Sequence, residues 1–243
     1  MIASDVRAAA VFDLDNTLVR GSSLFHFGWE MVRRRRLRAR HVARFAGAEA
    51  SYVLRRGEPA GIPSTVADRT LALVAGTRQQ DLLDLAVDFA ETRLHPHLSP
   101  QVYRQVLSFK RAGFATVLAT ASPQELAGAV ASALGMSAAI GTVSEVRDGV
   151  YTGRLCGPVA HGPAKAQRVR ALLTEHGLDA RRSWAFSDSV NDLPLLTLVG
   201  NPVATNADPE LAGIARTNGW RVLSDGQESE WPSGLGTLYP YAF

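Results

Sequence analysis

Short apolar runs alternating with helical stretches set the organisation of the chain. Ala8–Phe12 is a compact apolar run that stops at Asp13, the pattern of a buried strand opening into a loop. Phe114–Ala119 repeats it, following a helical stretch Val102–Arg111 closed by Gly113, and stops at Thr120. Ser183–Phe186 leads to Asp188, and Pro202–Ala204 runs toward Thr205 and Asn206. Helical patterns over Pro123–Leu134, Ala164–His176 and Asp192–Val199 lie between them. Strands alternating with helices of this length predict an α/β fold built on a doubly wound parallel sheet. In such a sheet ligands sit in a crevice beyond the carboxyl ends of the strands. The polar residues that end the apolar runs are therefore expected to converge on one crevice.

Two segments break the alternation. Residues from Ser22 to about Thr92 are almost wholly helical in pattern, with turn signals at Gly57–Pro63 and Gly76. That length is too great for a loop and predicts an all-helical insert. Gly141–Leu155 alternates around Asp148–Gly149, the dipeptide that most strongly favours a β-hairpin. The expected division is a core of residues 1–21 and 93–223, a helical insert over 22–92 and a tail over 224–243. The tail carries Trp231, Tyr239, Tyr241 and Phe243 and is expected to pack back onto the core.

Composition narrows the reading. A chain of 243 residues, 46% hydrophobic and 20% charged, suits one substantial core with an inserted subdomain. The lone cysteine, Cys156, excludes an internal disulfide framework, fits a reducing compartment and reads as a small half-buried hydrophobe in a strand. Ala8–Phe12 is too short for a signal-peptide core. Nothing approaches the roughly 18 apolar residues that span a bilayer, so the expected location is cytoplasmic, with no membrane span.

Net charge is +3, and almost every cation is arginine; Lys110 and Lys165 are the only lysines. On a helix Arg33, Arg36, Arg40 and Arg44 would share one stripe, either a solvated face with acidic partners such as Glu30 or an attractor of an anionic partner. No aromatic interleaving or reading module accompanies the arginines, so no nucleic-acid partner is expected.

Candidate chemistry gathers at the strand ends. Asp13 and Asp15 stand two apart in Asp13-Leu14-Asp15-Asn16-Thr17, and like charges so placed require a cation or a proton between them. The alternative is two solvated loop aspartates capping the next helix. Ser187-Asp188-Ser189-Val190-Asn191-Asp192 is a second acidic cluster, suited to a hard cation or to a helix N-cap by Ser189 or Asn191. Thr120 is followed by Ala121, Ser122 and Pro123 at a helix start, where main-chain N–H groups suit a phosphate and Ser122 suits an N-cap. Lys165 falls in the first turn of a helix, where the dipole disfavours a cation unless an anion lies close.

Asp13–Thr17, Thr120, Lys165 and Ser187–Asp192, in that order, resemble the motifs of the haloacid dehalogenase-like (HAD) hydrolases. The inserted helical segment is similar to that of their phosphoserine-phosphatase-like branch, subfamily IB. The resemblance takes in the hairpin with Tyr151-Thr152-Gly153-Arg154 and the stretches Asn201–Asp208 and Gly219–Leu223, so it covers most of the chain. It implies a Rossmann-like core with a helical cap and a hairpin flap, and a phosphatase of a small-molecule phosphate ester that uses Mg2+. On that resemblance Asp13 is the nucleophile that becomes phosphorylated, and Asp15 is the general acid and base. Mg2+ is held by Asp13, the Asp15 carbonyl and Asp188. Phosphate is held by Thr120, Lys165, Asn191 and the N–H groups of Leu14 and Ala121. Thr17 fixes the motif loop, and Asp192 supports the metal and Lys165.

The acid at Asp15 argues against a dehalogenase, since halide needs no proton on leaving. Members of the branch that act on phosphoserine carry a glutamate early in the cap, where this chain has Ser22, so a different ester is expected. Ser22, Ser23, His26 and Trp29 are candidate specificity residues near the cap entrance, while Leu24, Phe27 and Met31 read as a core-facing stripe. A phosphotransferase or mutase of the same superfamily, or a non-catalytic module binding an acidic partner through the arginine stripe, are the alternatives.

Overall fold

The structure, a computed structural model, describes residues 7–33 and 74–224. The arginines from Arg34 onward, the Gly57–Pro63 turn signal, the side chain of Met31 and the aromatic tail residues lie outside the described residues. In chain order the elements are β1 (Ala9–Phe12), α1 (Ser23–Arg33), α2 (Gln79–Thr92), α3 (Pro100–Arg111), β2 (Ala115–Pro123) and α4 (Gln124–Ala133). There follow β3 (Ala138–Thr142), β4 (Ser144–Arg147), β5 (Val150–Leu155), α5 (Gly162–Glu175), β6 (Trp184–Ser187), α6 (Leu193–Leu196), β7 (Asn201–Thr205), α7 (Pro209–Asn218) and β8 (Arg221–Leu223). Six strands form one parallel sheet in the order β3-β2-β1-β6-β7-β8. The chain winds outward from β1 in both directions, which puts the reversal of strand order between β1 and β6. That is the position where doubly wound sheets bind ligands.

The apolar runs are continuous because both faces of the sheet are covered. Along β1, Ala10 and Phe12 join a hydrophobic cluster with Phe27, Phe89, Phe109, Leu126 and Phe186, on the side of α1 to α4. Ala9 and Val11 point the other way, joining Val169, Leu173, Leu195 and Leu211 from α5, α6 and α7. Phe12 stacks on Phe186 at 4.6 Å between ring centroids, so the two strands that carry the acidic loops are locked side by side.

Four segments depart from the sequence expectation. Strand β2 continues beyond Thr120 to Pro123, and its pairing with β3 shifts register between Ala119 and Pro123. Residues Ala138–Thr142 form a sheet strand of their own, β3, before the hairpin begins. The helix expected over Asp192–Val199 is a 3-10 turn, Val190–Asp192, and the single turn α6, with Pro194 near its start and Gly200 just beyond. Cys156 lies just past the end of β5 and is exposed, so it is not a half-buried strand residue.

The hairpin β4–β5 turns through Asp148 and Gly149, at φ 51° and 77°, the paired left-handed conformations that a two-residue hairpin turn requires. It is tied to the segment before α2: Gly76 N donates to Tyr151 O at 2.9 Å, Tyr151 N to Thr77 O at 3.0 Å and Gln79 N to Gly149 O at 2.9 Å. Helices α1 and α2 also reach the core. Phe27 of α1 meets Phe89 of α2 edge-on at 5.7 Å, and Leu82, Ala86 and Ala90 of α2 lie in the same cluster as Phe12. Among the described residues no helix is long and apolar enough to cross a membrane.

Candidate active site

The carboxyl ends of β1, β2 and β6 bring the acidic loops to one edge. The Asp13 N–H donates to Phe186 O at 2.9 Å, extending the β1–β6 ladder by one step and fixing where the Asp13 side chain starts. Lys165, one turn into α5, reaches across 152 residues of sequence to Asp13 Oδ1 at 2.7 Å. The same ammonium donates to Asp192 Oδ2 at 2.7 Å, and Ser187 Oγ donates to that oxygen at 2.7 Å. All four of these side chains are buried. Burial alone would depress the lysine, but the Asp13 and Asp192 carboxylates outweigh it and hold Lys165 well above its usual range. Burial pushes Asp13 up to about 7, with Lys165 opposing and the charges of Asp192 and Asp15 adding to the rise.

Thr17 and Asp188 close one side of this group. Thr17, also buried, donates from Oγ1 to Asp188 Oδ1 at 3.5 Å, joining the β1 loop to the β6 loop. Asn191 turns back on its own loop, where its Nδ2 donates to Ser189 Oγ at 3.1 Å and its N–H to the same oxygen at 3.3 Å. Ser189 is thus the cap of this turn. Two carboxylates, Asp13 and Asp192, share the one ammonium, and Asp192 Oδ1 is buried with no hydrogen-bond partner. Among the described residues no three or more His, Cys, Asp or Glu side chains form a ready-made metal cage. A cation here would have to draw on main-chain oxygen as well.

Asp15 faces the other way, toward the insert. Its Oδ1 accepts from the Ser23 N–H at 2.5 Å and its Oδ2 from Ser122 Oγ at 3.5 Å. Burial raises this carboxyl above its ordinary range, and the hydrogen bonds from Ser23 and Ser122 pull against it. Ser122 does not cap α4, because its hydroxyl is spent on Asp15 and Ser23. Pro123 instead occupies the cap position with no side-chain hydrogen bond. Thr120 Oγ1 accepts from the Ser122 N–H at 3.1 Å, which leaves its proton to point elsewhere. Ala121 is held through its carbonyl, which accepts from Thr142 Oγ1 at 2.6 Å, and the same hydroxyl accepts from the Ala160 N–H at 3.0 Å.

Of the residues expected near the insert, Ser23 touches this group. Ser22 caps α1 through Phe25 N at 3.2 Å. His26 approaches Arg20 O at 3.1 Å and stacks on His97 at 3.8 Å. Trp29 is 60% exposed. Glu30 is buried and pairs with Arg33 at 2.7 Å, as the expected acidic partner of the arginine face. Sequence reasoning passed over Glu125 and His161. Glu125 is buried at the start of α4, accepts from Gln79 Nε2 at 3.3 Å and, with burial, pushes the buried Tyr151 phenol well above its usual range. His161 precedes α5 and is held below its ordinary range by burial and by Lys165, with Asp192 opposing. The only sequence signal for either was its place beside a helix start.

The chain is similar to known proteins over most of its length. The model of the family described as haloacid dehalogenase-like hydrolase matches residues 10–197. The phosphoserine phosphatase SerB1 of Mycobacterium tuberculosis is 38% identical over 218 residues, 90% of this chain and 71% of that protein. The histidinol-phosphatase of Neisseria meningitidis is 31% identical over 219 residues, 88% of this chain and 97% of that protein. A solved structure of a protein of unknown function from Bordetella pertussis superposes with a TM-score of 0.77 at 32% identity, covering 90% of this chain and 98% of that one.

Proposed function

We propose, from the premise that the chain belongs to the haloacid dehalogenase-like hydrolases and is a phosphatase among them, that it hydrolyses a small phosphate ester through a phosphorylated Asp13. The observation that carries this reading is the buried Lys165 ammonium shared between Asp13 and Asp192 at the strand edge. It neutralises the nucleophile's surroundings and holds one carboxylate oxygen in place.

In the proposed reaction an Asp13 carboxylate oxygen attacks phosphorus as the bond to the ester oxygen breaks. The proton on Asp15 passes to that departing oxygen, and Asp15 then takes a proton from the water that cleaves the aspartyl-phosphate. Thr120, Lys165, Asn191 and the N–H groups of Leu14 and Ala121 are the proposed holders of the remaining phosphate oxygens, where charge spreads in the transition state. Thr17 and Asp192 are proposed to hold Asp188 and Lys165 in place.

The residues present fit a magnesium ion. Carboxylates outnumber cations here, burial makes charge on Asp13 unfavourable, and Asp192 Oδ1 lacks a partner. Asp13, Asp188 and the Asp15 carbonyl would hold the ion, which would supply positive charge to the phosphate oxygens. Ser22 is bound to its own helix and supplies no charge to a substrate amine, which supports an ester other than phosphoserine. Purified protein is expected to release phosphate from p-nitrophenyl phosphate with magnesium, to stop with EDTA, and to lose the activity in Asp13→Asn. Release by that variant at the wild-type rate would remove Asp13 from the nucleophile's role.

A further inference from the structure

We propose that Ser23 and Ser122 are positioning residues for Asp15, orienting its carboxyl toward the departing ester oxygen; this rests on the phosphatase reading above. Both serines are buried, at 0% and 3% exposure, so neither hydroxyl has solvent to satisfy it. The two hydroxyls meet at 3.1 Å although 99 residues separate them. Together they divide the carboxyl. The Ser23 N–H, which can only donate, engages Oδ1 at 2.5 Å, so the transferable proton belongs on Oδ2. Ser122 Oγ faces Oδ2 at 3.5 Å, and a hydroxyl can donate to that oxygen when it is ionised or accept from it when it is protonated.

The placement of the pair gives it a further consequence. Ser122 is the next-to-last residue of β2 and its N–H donates to Thr120 Oγ1 at 3.1 Å, while Ser23 is the first residue of α1. The acid is thereby held between the sheet and the first helix of the insert, and its aim depends on α1 being docked. In the step concerned, the bond from Asp13 oxygen to phosphorus forms, the bond from phosphorus to the ester oxygen breaks, and the Oδ2 proton moves to that oxygen.

Leaving-group dependence tests the assignment, because p-nitrophenolate departs without protonation and phenolate does not. Rates with magnesium are measured on p-nitrophenyl phosphate and phenyl phosphate for wild type, Ser23→Ala, Ser122→Ala and Ser122→Thr. The phenyl to p-nitrophenyl rate ratio is independent of how much of each preparation is folded. It is expected to fall about tenfold in Ser122→Ala, less in Ser23→Ala, and to recover in Ser122→Thr. Should Ser122→Ala yield no folded protein, Ser23→Ala carries the same readout. An unchanged ratio in the alanine variants, whether or not both rates fall, overturns the positioning role. A wild type that hydrolyses neither ester, or an active Asp13→Asn, instead overturns the reaction itself.

Discussion

Two clusters of ion pairs, one at the strand edge and one on the hairpin, have contacts of similar length but different consequences. Lys165 lies 2.7 Å from Asp13 and from Asp192, all three side chains being less than a tenth exposed. Glu145 lies 3.0 Å from Arg147 and from Arg154, whose side chains are 67% and 65% exposed. Water screens the second set and barely reaches the first, so the same Coulomb attraction has very different strength in the two places. Distance alone does not identify a working charge; burial does. The desolvation of the buried set is offset in part by hydrogen bonds, including that of Ser187 to Asp192.

Breaking the buried set gives the largest effect. Lys165→Met strands Asp13 and Asp192 without their cation, and urea unfolding is expected to show a loss of about 3–5 kcal/mol along with the loss of phosphatase activity. Between the two regions lies Gly141 on β3. A Cβ there would sit 2.7 Å from Gln124 Cα and 2.9 Å from Ser122 O, both main chain. Gly141→Ala should therefore lose about 1–3 kcal/mol and slow phosphate release by shifting the Ser122 loop. Ser187→Ala removes one hydrogen bond from Asp192, and a loss of about 1 kcal/mol is expected in the same unfolding assay. Glu145→Gln should lower the urea midpoint at neutral pH only slightly, because water screens the exposed pairs; a drop as large as that of Lys165→Met would show that exposure is a poor guide here.

The pH dependence of the two clusters runs in opposite senses. Glu145, held at about 2 against an ordinary 4.5 by hydrogen bonds from Thr152 and Arg154, stabilises the fold above 4.5, and that contribution is lost as the pH falls toward 2. Asp13, raised from 3.8 to about 7, binds its proton more tightly folded than unfolded, so its contribution is present below 3.8 and lost as the pH rises through 7. Metal-free protein should therefore lose stability across that upper window. Unfolding midpoints taken at stepped pH should show this slope flattened in Asp13→Asn and retained in Glu145→Gln.

Much of the fold was legible because each sheet strand at the centre is buried on both faces, so Ala8–Phe12 and Ser183–Phe186 stand out as unbroken apolar runs. The hairpin was legible for a local reason too, since Asp148 and Gly149 tolerate positive φ. Strand β3 was not, because Ala138–Thr142 is short, rich in small residues and runs almost directly into the hairpin. Ser122 resembles a helix cap in sequence, a serine before a proline, but its hydroxyl meets Asp15 of the β1 loop and Ser23 of α1. His26 and Trp29 looked close to the site because Ser23 is, but successive helix positions turn away from one another.

What the sequence determined by itself was periodic or local: alternating strands and helices, a hairpin turn, and acidic residues set at strand ends. Which side chains meet was decided only by the tertiary structure. Lys165 and Asp13 stand 152 residues apart, and Ser23 and Ser122 stand 99 apart. Backbone preferences act over a few residues, whereas the sheet order that places β1 between β2 and β6 depends on the packing of the whole chain.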